Sequence, residues 1–321
     1  MPPAPQPSLT SRITAAEAGD TLLDWLAQRF GYLDHDGWRR EITAGRVRRN
    51  GMGATAEAVL TAGDEVTFAP EPAPPTRDVP VLYVDDDLVV VDKPPHLVVQ
   101  HAGAFLRHTF VAWLGTVHPP TDGSPRLEPA HRLDRETSGV LVLTRNQAAA
   151  RAVQQQFERG EVEKVYHAVV HGLVAHDGEI DAPIGLAPGS TVAARRAVVA
   201  AATRGARRAR TSFTVERRFA AFSLLRLVPH TGRTHQLRVH LEHLGHPIVG
   251  DKLYGRSDAD FLAYTAHLKQ DGDPAWPGRY EVGRQLLHAS RLSCRQPRTR
   301  HPLDLVAPLP DDLQQFVGGL A

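Results

Sequence analysis

The chain has 321 residues, of which 42% are hydrophobic and 23% charged, and a formal net charge of +1. That length suggests about two domains with ordinary hydrophobic cores, and the near-neutral sum announces no polyanionic partner by itself. The single cysteine, Cys294, excludes an intramolecular disulfide framework and fits a reducing compartment.

Residues 1–10 are rich in proline and lack the charged-then-apolar order of a secretory signal, so they read as a short disordered tail. No apolar run approaches the length of a membrane span. A cytoplasmic protein with no membrane partner is therefore expected. The first helix is predicted over residues 21–30. Asp20 can cap it, Leu22, Leu23, Leu26, Ala27 and Phe30 fall at helical spacing, and Gly31 stops it. A second helix is predicted over 37–44, followed by a strand from Val47 that enters a turn at Asn50-Gly51 and a last strand over 63–68. Residues 11–70 thus form one small unit, and the proline-rich residues 71–80 read as a linker.

From residue 81 the pattern changes to short β-type runs over 81–84, 88–91, 140–143, 165–174, 212–216 and 224–228. Helices interrupt them over 148–159, before Gly160, and over 235–244, before Gly245. There is no strict strand–helix alternation and no glycine-rich phosphate loop. Residues 81–321 are therefore predicted to form an α+β domain with a mixed, mainly antiparallel sheet. Segments 186–206 and 256–284 are weakly patterned and read as surface excursions. The triple Asp85-Asp86-Asp87 lies between two apolar runs and reads as a turn rather than a magnesium site.

Positive charge is clustered although its sum is small. Arg39, Arg40, Arg46, Arg48 and Arg49 crowd one stretch, and a second holds Arg195, Arg196, Arg204, Arg207, Arg208 and Arg210 without an acidic residue between them. Arginine's fork suits phosphate, but solvated surface explains either cluster equally well.

Three segments could carry chemistry. In His131-Arg132-Leu133-Asp134-Arg135-Glu136-Thr137-Ser138-Gly139 a charge-dense loop enters an apolar strand through a glycine, and the arginines flanking Asp134 would keep it ionised. Taken alone, a structural ion-pair loop is the commoner explanation. In the segment from His230 to Leu241 a turn presents Arg233 just before a helix. His240, His243 and His246 raise the question of a metal, but no H-E-x-x-H pattern is present and no metal is expected. In Glu163-Lys164-Val165-Tyr166-His167-Ala168-Val169-Val170-His171-Gly172, alternation puts Tyr166 with Ala168 and Val170, where its ring could stack on a flat ligand or simply fill a core.

Together these segments resemble the RluA family of pseudouridine synthases. The resemblance runs through Val89-Val90-Val91-Asp92-Lys93-Pro94, residues 131–143 and 164–172, residues 232–241, residues 245–255 and Leu287-His288-Ala289, in that order. It implies that Asp134 is the catalytic aspartate, that Arg233 pairs with it, that Tyr166 lies against the target uracil and that Arg132 enters the RNA where the base leaves the stack. It implies isomerisation of uridine with no net redox change, hence no cofactor. Residues 11–70 resemble the S4 RNA-binding domain, which implies that Arg39, Arg40, Arg46, Arg48 and Arg49 contact phosphate. The implied partner is RNA, ribosomal rather than transfer RNA, acted on by a monomer. Two other readings stay open: a non-catalytic RNA-binding or assembly factor with the same fold, and a hydrolase using the histidines.

Overall fold

The computed structural model describes residues 9–30, 33–69, 79–97, 99, 110–124, 126–271 and 280–320. Most of the expected tail and linker, and the expected helix stop at Gly31, lie outside them. The chain divides into two compact units: Met1–Thr76 with Val98–Pro129, and Arg77–Leu97 with Ala130–Ala321.

The first unit begins with strand β1 (Leu9–Arg12), so the last residues of the expected tail are strand. Helices α1 (Leu22–Arg29) and α2 (His35–Thr43) and strands β2 (Val47–Arg49), β3 (Met52–Gly53) and β4 (Glu65–Phe68) follow. The cap of α1 is Thr21, not Asp20, because the Thr21 hydroxyl accepts from the Asp24 N–H at 3.1 Å. Helix α2 starts before the expected residue 37, because the Asp34 carboxylate accepts from Gly37 N at 2.7 Å and caps it there. Asn50 and Gly51 take φ of 50° and 78°, as the turn between β2 and β3 requires. The sheet order is β1-β4-β2-β3, and Trp25, Leu26, Trp38, Val47 and Phe68 fill the core between sheet and helices.

Strands β5 (Val81–Val84) and β6 (Leu88–Lys93) open the second unit, while helix α3 (Phe110–Val117) and strand β7 (Glu128–Pro129) belong to the first. The second unit resumes with β8 (Ser138–Thr144), α4 (Gln147–Glu158), β9 (Glu163–His171), β10 (Gly178–Asp181), β11 (Ile184–Leu186), β12 (Arg196–Val198), β13 (Arg210–Arg218) and β14 (Phe222–Pro229). It ends with α5 (Gln236–His243), α6 (Asp258–Asp271), β15 (Leu287–Arg295), β16 (Pro302–Val306) and α7 (Asp311–Gly318). Its main sheet runs β10-β13-β14-β9-β15-β8-β6-β5, with β16 also on β15. All its pairings are antiparallel except β15 with β8. The expected α+β fold with a mixed, mainly antiparallel sheet is the one observed. Among the described residues no helix is long and apolar enough to cross a membrane.

Both weakly patterned segments contain regular elements among the described residues. Residues 184–198 form the β11–β12 hairpin, and 258–271 form α6, capped by Ser257 through its bond from Asp260 N at 3.1 Å. The aspartate triple is a turn, with Asp85 Oδ1 accepting from Asp87 N and Leu88 N at 2.8 and 2.7 Å.

Helix α5 lies against the sheet through Leu237 and Leu241, which pack with Ala168, Val170, Leu227 and Ile248. The loop of residues 131–137 enters β8 where β8 meets β15 in parallel, His288 opposite Ser138 and Ala289 opposite Gly139. Gly139 has φ +112°, and a Cβ there would lie 2.2 Å from the Ala289 carbonyl oxygen. A Gly139→Ala variant is therefore expected to lose about 3 kcal/mol of stability or more, from backbone strain plus overlap. Urea unfolding checks this, and a midpoint equal to that of the wild type would contradict it.

Candidate active site

Asp134 sits one turn ahead of β8, its carbonyl accepting from Thr137 N at 3.1 Å. The residues after it are pinned from several directions. Lys93, at the buried end of β6, donates its ammonium hydrogens to the carbonyls of Pro94, Leu97 and Arg135 at 2.9, 3.1 and 3.2 Å. Burial pulls the Lys93 pKa down to about 7, with the Arg284 charge acting the same way. Glu136 Oε2 accepts from Gln285 N at 3.1 Å, Gln285 Nε2 donates to Thr137 Oγ1 at 2.7 Å, and the Ser138 hydroxyl meets His288 Nδ1 at 2.9 Å. A carboxylate on a loop fixed this way keeps its position while a substrate comes and goes.

The partner of Asp134 is Arg238, not Arg233. Arg238 Nη1 donates to Asp134 Oδ2 at 2.8 Å, while its Nε and Nη2 form a two-pronged bond to Asp251 at 2.7 and 2.8 Å. Asp251 has no exposed side-chain surface and also accepts from Leu253 N and Tyr254 N at 2.8 and 3.0 Å. The guanidinium carbon stands 4.8 Å from the Tyr254 ring centroid. One arginine therefore bridges two carboxylates over an aromatic face, an arrangement lysine cannot reproduce. The expected Arg233–Asp134 pair is corrected for a geometric reason. Arg233 is exposed in the turn before α5, and its Nε donates to the Arg208 carbonyl at 3.0 Å.

Burial alone would raise the pKa of Asp134, but the Arg238 charge and hydrogen bond outweigh it, and Arg132 adds to them. The carboxyl is held below the usual carboxylate range. Arg135, the other expected neighbour, turns away to Glu136 at 3.6 Å and to the Tyr264 hydroxyl at 3.3 Å. With Oδ2 engaged, Oδ1 is the oxygen left toward the cleft, 4.0 Å from His235 Nε2. His235 is the residue just before α5 and has φ 58°. Its Nδ1 meets the Tyr254 hydroxyl at 2.8 Å, and that hydroxyl accepts from Arg196 N at 3.2 Å. The hydroxyl can give its own hydrogen to Nδ1, and in that tautomer the N–H of His235 is on Nε2, the nitrogen 4.0 Å from Asp134 Oδ1. Burial and the Arg238 charge lower the His235 pKa to about 4, so the ring is neutral near pH 7.

Asp134, His235 and Arg238 line an open cleft of about 1020 Å³, together with Arg132, Tyr166, Leu133 and Leu287. Tyr166 projects from β9 on the face of Ala168 and Val170, as the alternation predicts. Burial and the nearby Asp134 charge push its hydroxyl well above the ordinary tyrosine range, so it stays protonated. It can offer a flat ring and a hydrogen-bond donor, but it is a poor base. Arg132 is exposed and lines the same cleft. A stacking ring and an ionised carboxylate held by a buried arginine in one cleft suit reactions that develop positive charge on a bound sugar.

Two of the three histidines that raised the question of a metal are otherwise employed. His240 meets Thr211 Oγ1 and the Ala182 carbonyl at 2.9 and 3.1 Å, and His246 meets the His171 carbonyl at 2.8 Å. Among the described residues no group of three or more His, Cys, Asp or Glu side chains converges as a metal site would. In the first unit, Arg39 pairs with Glu57 at 3.0 Å, Arg46 with Glu41 at 2.6 Å and Arg49 with Asp64 at 2.6 Å. Arg40 and Arg48 are exposed and make no ion pair among the described residues.

The sequence model of the family described as RNA pseudouridylate synthase matches residues 87–243. An RNA pseudouridine synthase of Chlorobaculum parvum is 35% identical over 312 residues, covering 90% of each chain. A protein of Xanthomonas campestris named ribosomal large subunit pseudouridine synthase D is 33% identical, covering 92% of this chain and 87% of its own. Among solved structures, human RNA pseudouridylate synthase domain containing 4 superposes with a TM-score of 0.57 at 28% identity, over 75% of this chain and 92% of that one. Identity at this level along nine-tenths of both sequences settles the family: the chain belongs to the RluA-type RNA pseudouridine synthases, isomerases that act on RNA.

Proposed function

We propose that the protein isomerises specific uridines of large-subunit ribosomal RNA, with Asp134 as the catalytic carboxylate. The observation that carries this is the ionised Asp134, held by Arg238 with one oxygen left toward a cleft that also presents Tyr166. In the reaction the N1–C1′ bond breaks, the uracil turns, and C5 bonds to C1′. The C5 proton leaves and N1 gains one, so no electrons are exchanged. Asp134 meets the positive charge that develops at C1′ through Oδ1. Tyr166 supports the uracil ring, and Arg132 enters the stack the base has left, since the glycosidic carbon cannot be reached inside a helix. Arg238 positions Asp134, and Arg233 serves the rim of the cleft.

Ribosomal RNA is the favoured substrate for two reasons. Relatives are named for the large ribosomal subunit, and residues 11–70 read as an S4-like RNA-binding domain in which Arg40 and Arg48 remain for phosphate. The buried thiol of Cys294 fits work in the reducing cytoplasm. Pseudouridine mapping of total RNA from cells lacking this protein tests the substrate. One or a few large-subunit sites are expected to disappear and to return with the wild-type gene. A map altered only in transfer RNA, or not at all, would overturn the assignment.

A further inference from the structure

Lys164 is a cation of the cleft that the reaction leaves unused. It lies on β9 two residues before Tyr166, on the same face and about 6.8 Å along the strand. Its ammonium makes one long hydrogen bond, to the Thr231 carbonyl at 3.5 Å, and stands 5.8 Å from the Phe157 ring centroid. A Cβ on Gly232 would be 3.9 Å from it, so it faces the 231–233 turn that presents Arg233. Both side chains line the cleft, and neither makes an ion pair among the described residues. The three acids that line the cleft face other groups: Glu163 stands 3.9 Å from Arg226, Glu158 accepts from Gln154 at 2.8 Å and Asp134 is held by Arg238. An ammonium with most of its hydrogens unspent, and only partly withdrawn from water, is well placed to take an anion. Burial lowers its pKa, a penalty that a bound anion would reverse.

We infer that Lys164 and Arg233 form a phosphate site on the cleft wall that grips the RNA backbone beside the target uridine. The ligand is a phosphodiester of the same strand. The separation from Tyr166 carries Lys164 past the base position, and Arg233 supplies a planar fork at the rim. The inference rests on the reading of the protein as an RNA-modifying enzyme. Phosphate contacts of this kind position a strand without reading its sequence.

The test uses a fluorescein-labelled 12-nucleotide oligouridylate and the full chain, with binding followed by anisotropy across a potassium chloride series. Each lost phosphate contact should make the slope of log affinity against log salt less negative by about 0.7. Lys164→Gln and Arg233→Gln are each expected to show that change and to weaken binding several-fold at low salt, while Lys164→Arg keeps the wild-type slope. Wild-type slope and affinity in Lys164→Gln and in Arg233→Gln would overturn the site while leaving the enzyme reading intact. A wild-type protein with no salt-dependent binding to the oligonucleotide would overturn both.

Discussion

Asp134→Asn is expected to fold like the wild type and to lose at least about 10⁴-fold in kcat, the scale of removing a residue that acts on the reacting atoms. The amide keeps the shape of the side chain and an oxygen for Arg238, and Arg238 keeps its two-pronged bond to Asp251. Only the negative charge is lost. The same electrostatics fix the pH behaviour of the wild type. Arg238 holds Asp134 below the usual carboxylate range, so activity through this group fails only as pH falls through that lowered value. No acid limb from Asp134 is expected above about pH 4. Single-turnover rates on an RNA substrate check both points; a variant within tenfold of the wild type would remove Asp134 from the chemistry.

The second large effect separates two arginines. Arg238→Met leaves the fully buried Asp251 carboxylate without its cation, which costs about 3–5 kcal/mol. It also leaves the burial of Asp134 unopposed. The Asp134 pKa then rises, so the active ionised form is reached only at higher pH, and the acid limb moves up toward neutrality. Turnover near pH 7 is expected to fall by about 10³-fold. Adding Asp251→Asn to Arg238→Met should restore much of the stability and little of the activity, because it removes the stranded charge without returning a partner to Asp134. Arg233→Met is expected to lose less than about tenfold in kcat/KM, mostly through KM, since Arg233 reaches the Arg208 carbonyl and not Asp134. Kinetics and thermal melts of the variants decide the matter. A larger loss for Arg233→Met than for Arg238→Met would reverse the two roles.

That exchange shows where sequence reading reached its limit. Arg233 and Arg238 stand in the same motif, and both precede or enter the same helix. Spacing alone cannot tell which one a loop a hundred residues earlier will meet. A local signal was present: Arg238 lies between Leu237, Val239 and Leu241, in a stretch buried on nearly every side. An arginine in such a place requires carboxylate partners, and Asp251 and Asp134 supply them. Tyr166 was legible because strand alternation fixes its face whatever its neighbours. Strand β15 was not, although it occupies the middle of the sheet. Its polar Ser290, Arg291 and Ser293, with a bulge between Ala289 and Arg291, break the alternation that would have announced it. Helix α6 hid behind a mixed surface pattern, yet Ser257 with Asp260 is a cap signature that could have been read. The support of the active-site loop by Lys93 and Gln285 was beyond reach, since it joins residues far apart in the chain, Lys93 through the Arg135 carbonyl and Gln285 through the Thr137 hydroxyl.

Bond formation at uracil C5 requires loss of the hydrogen there, and this gives the most direct measurement. Large-subunit ribosomal RNA transcribed with uridine tritiated at C5 is incubated with the purified protein, with no cofactor added, and tritium released to water is counted. The wild type is expected to release tritium up to a fixed number of uridines per RNA, and Asp134→Asn to release none above background. Equal release by the two proteins, or none by the wild type, would contradict the account.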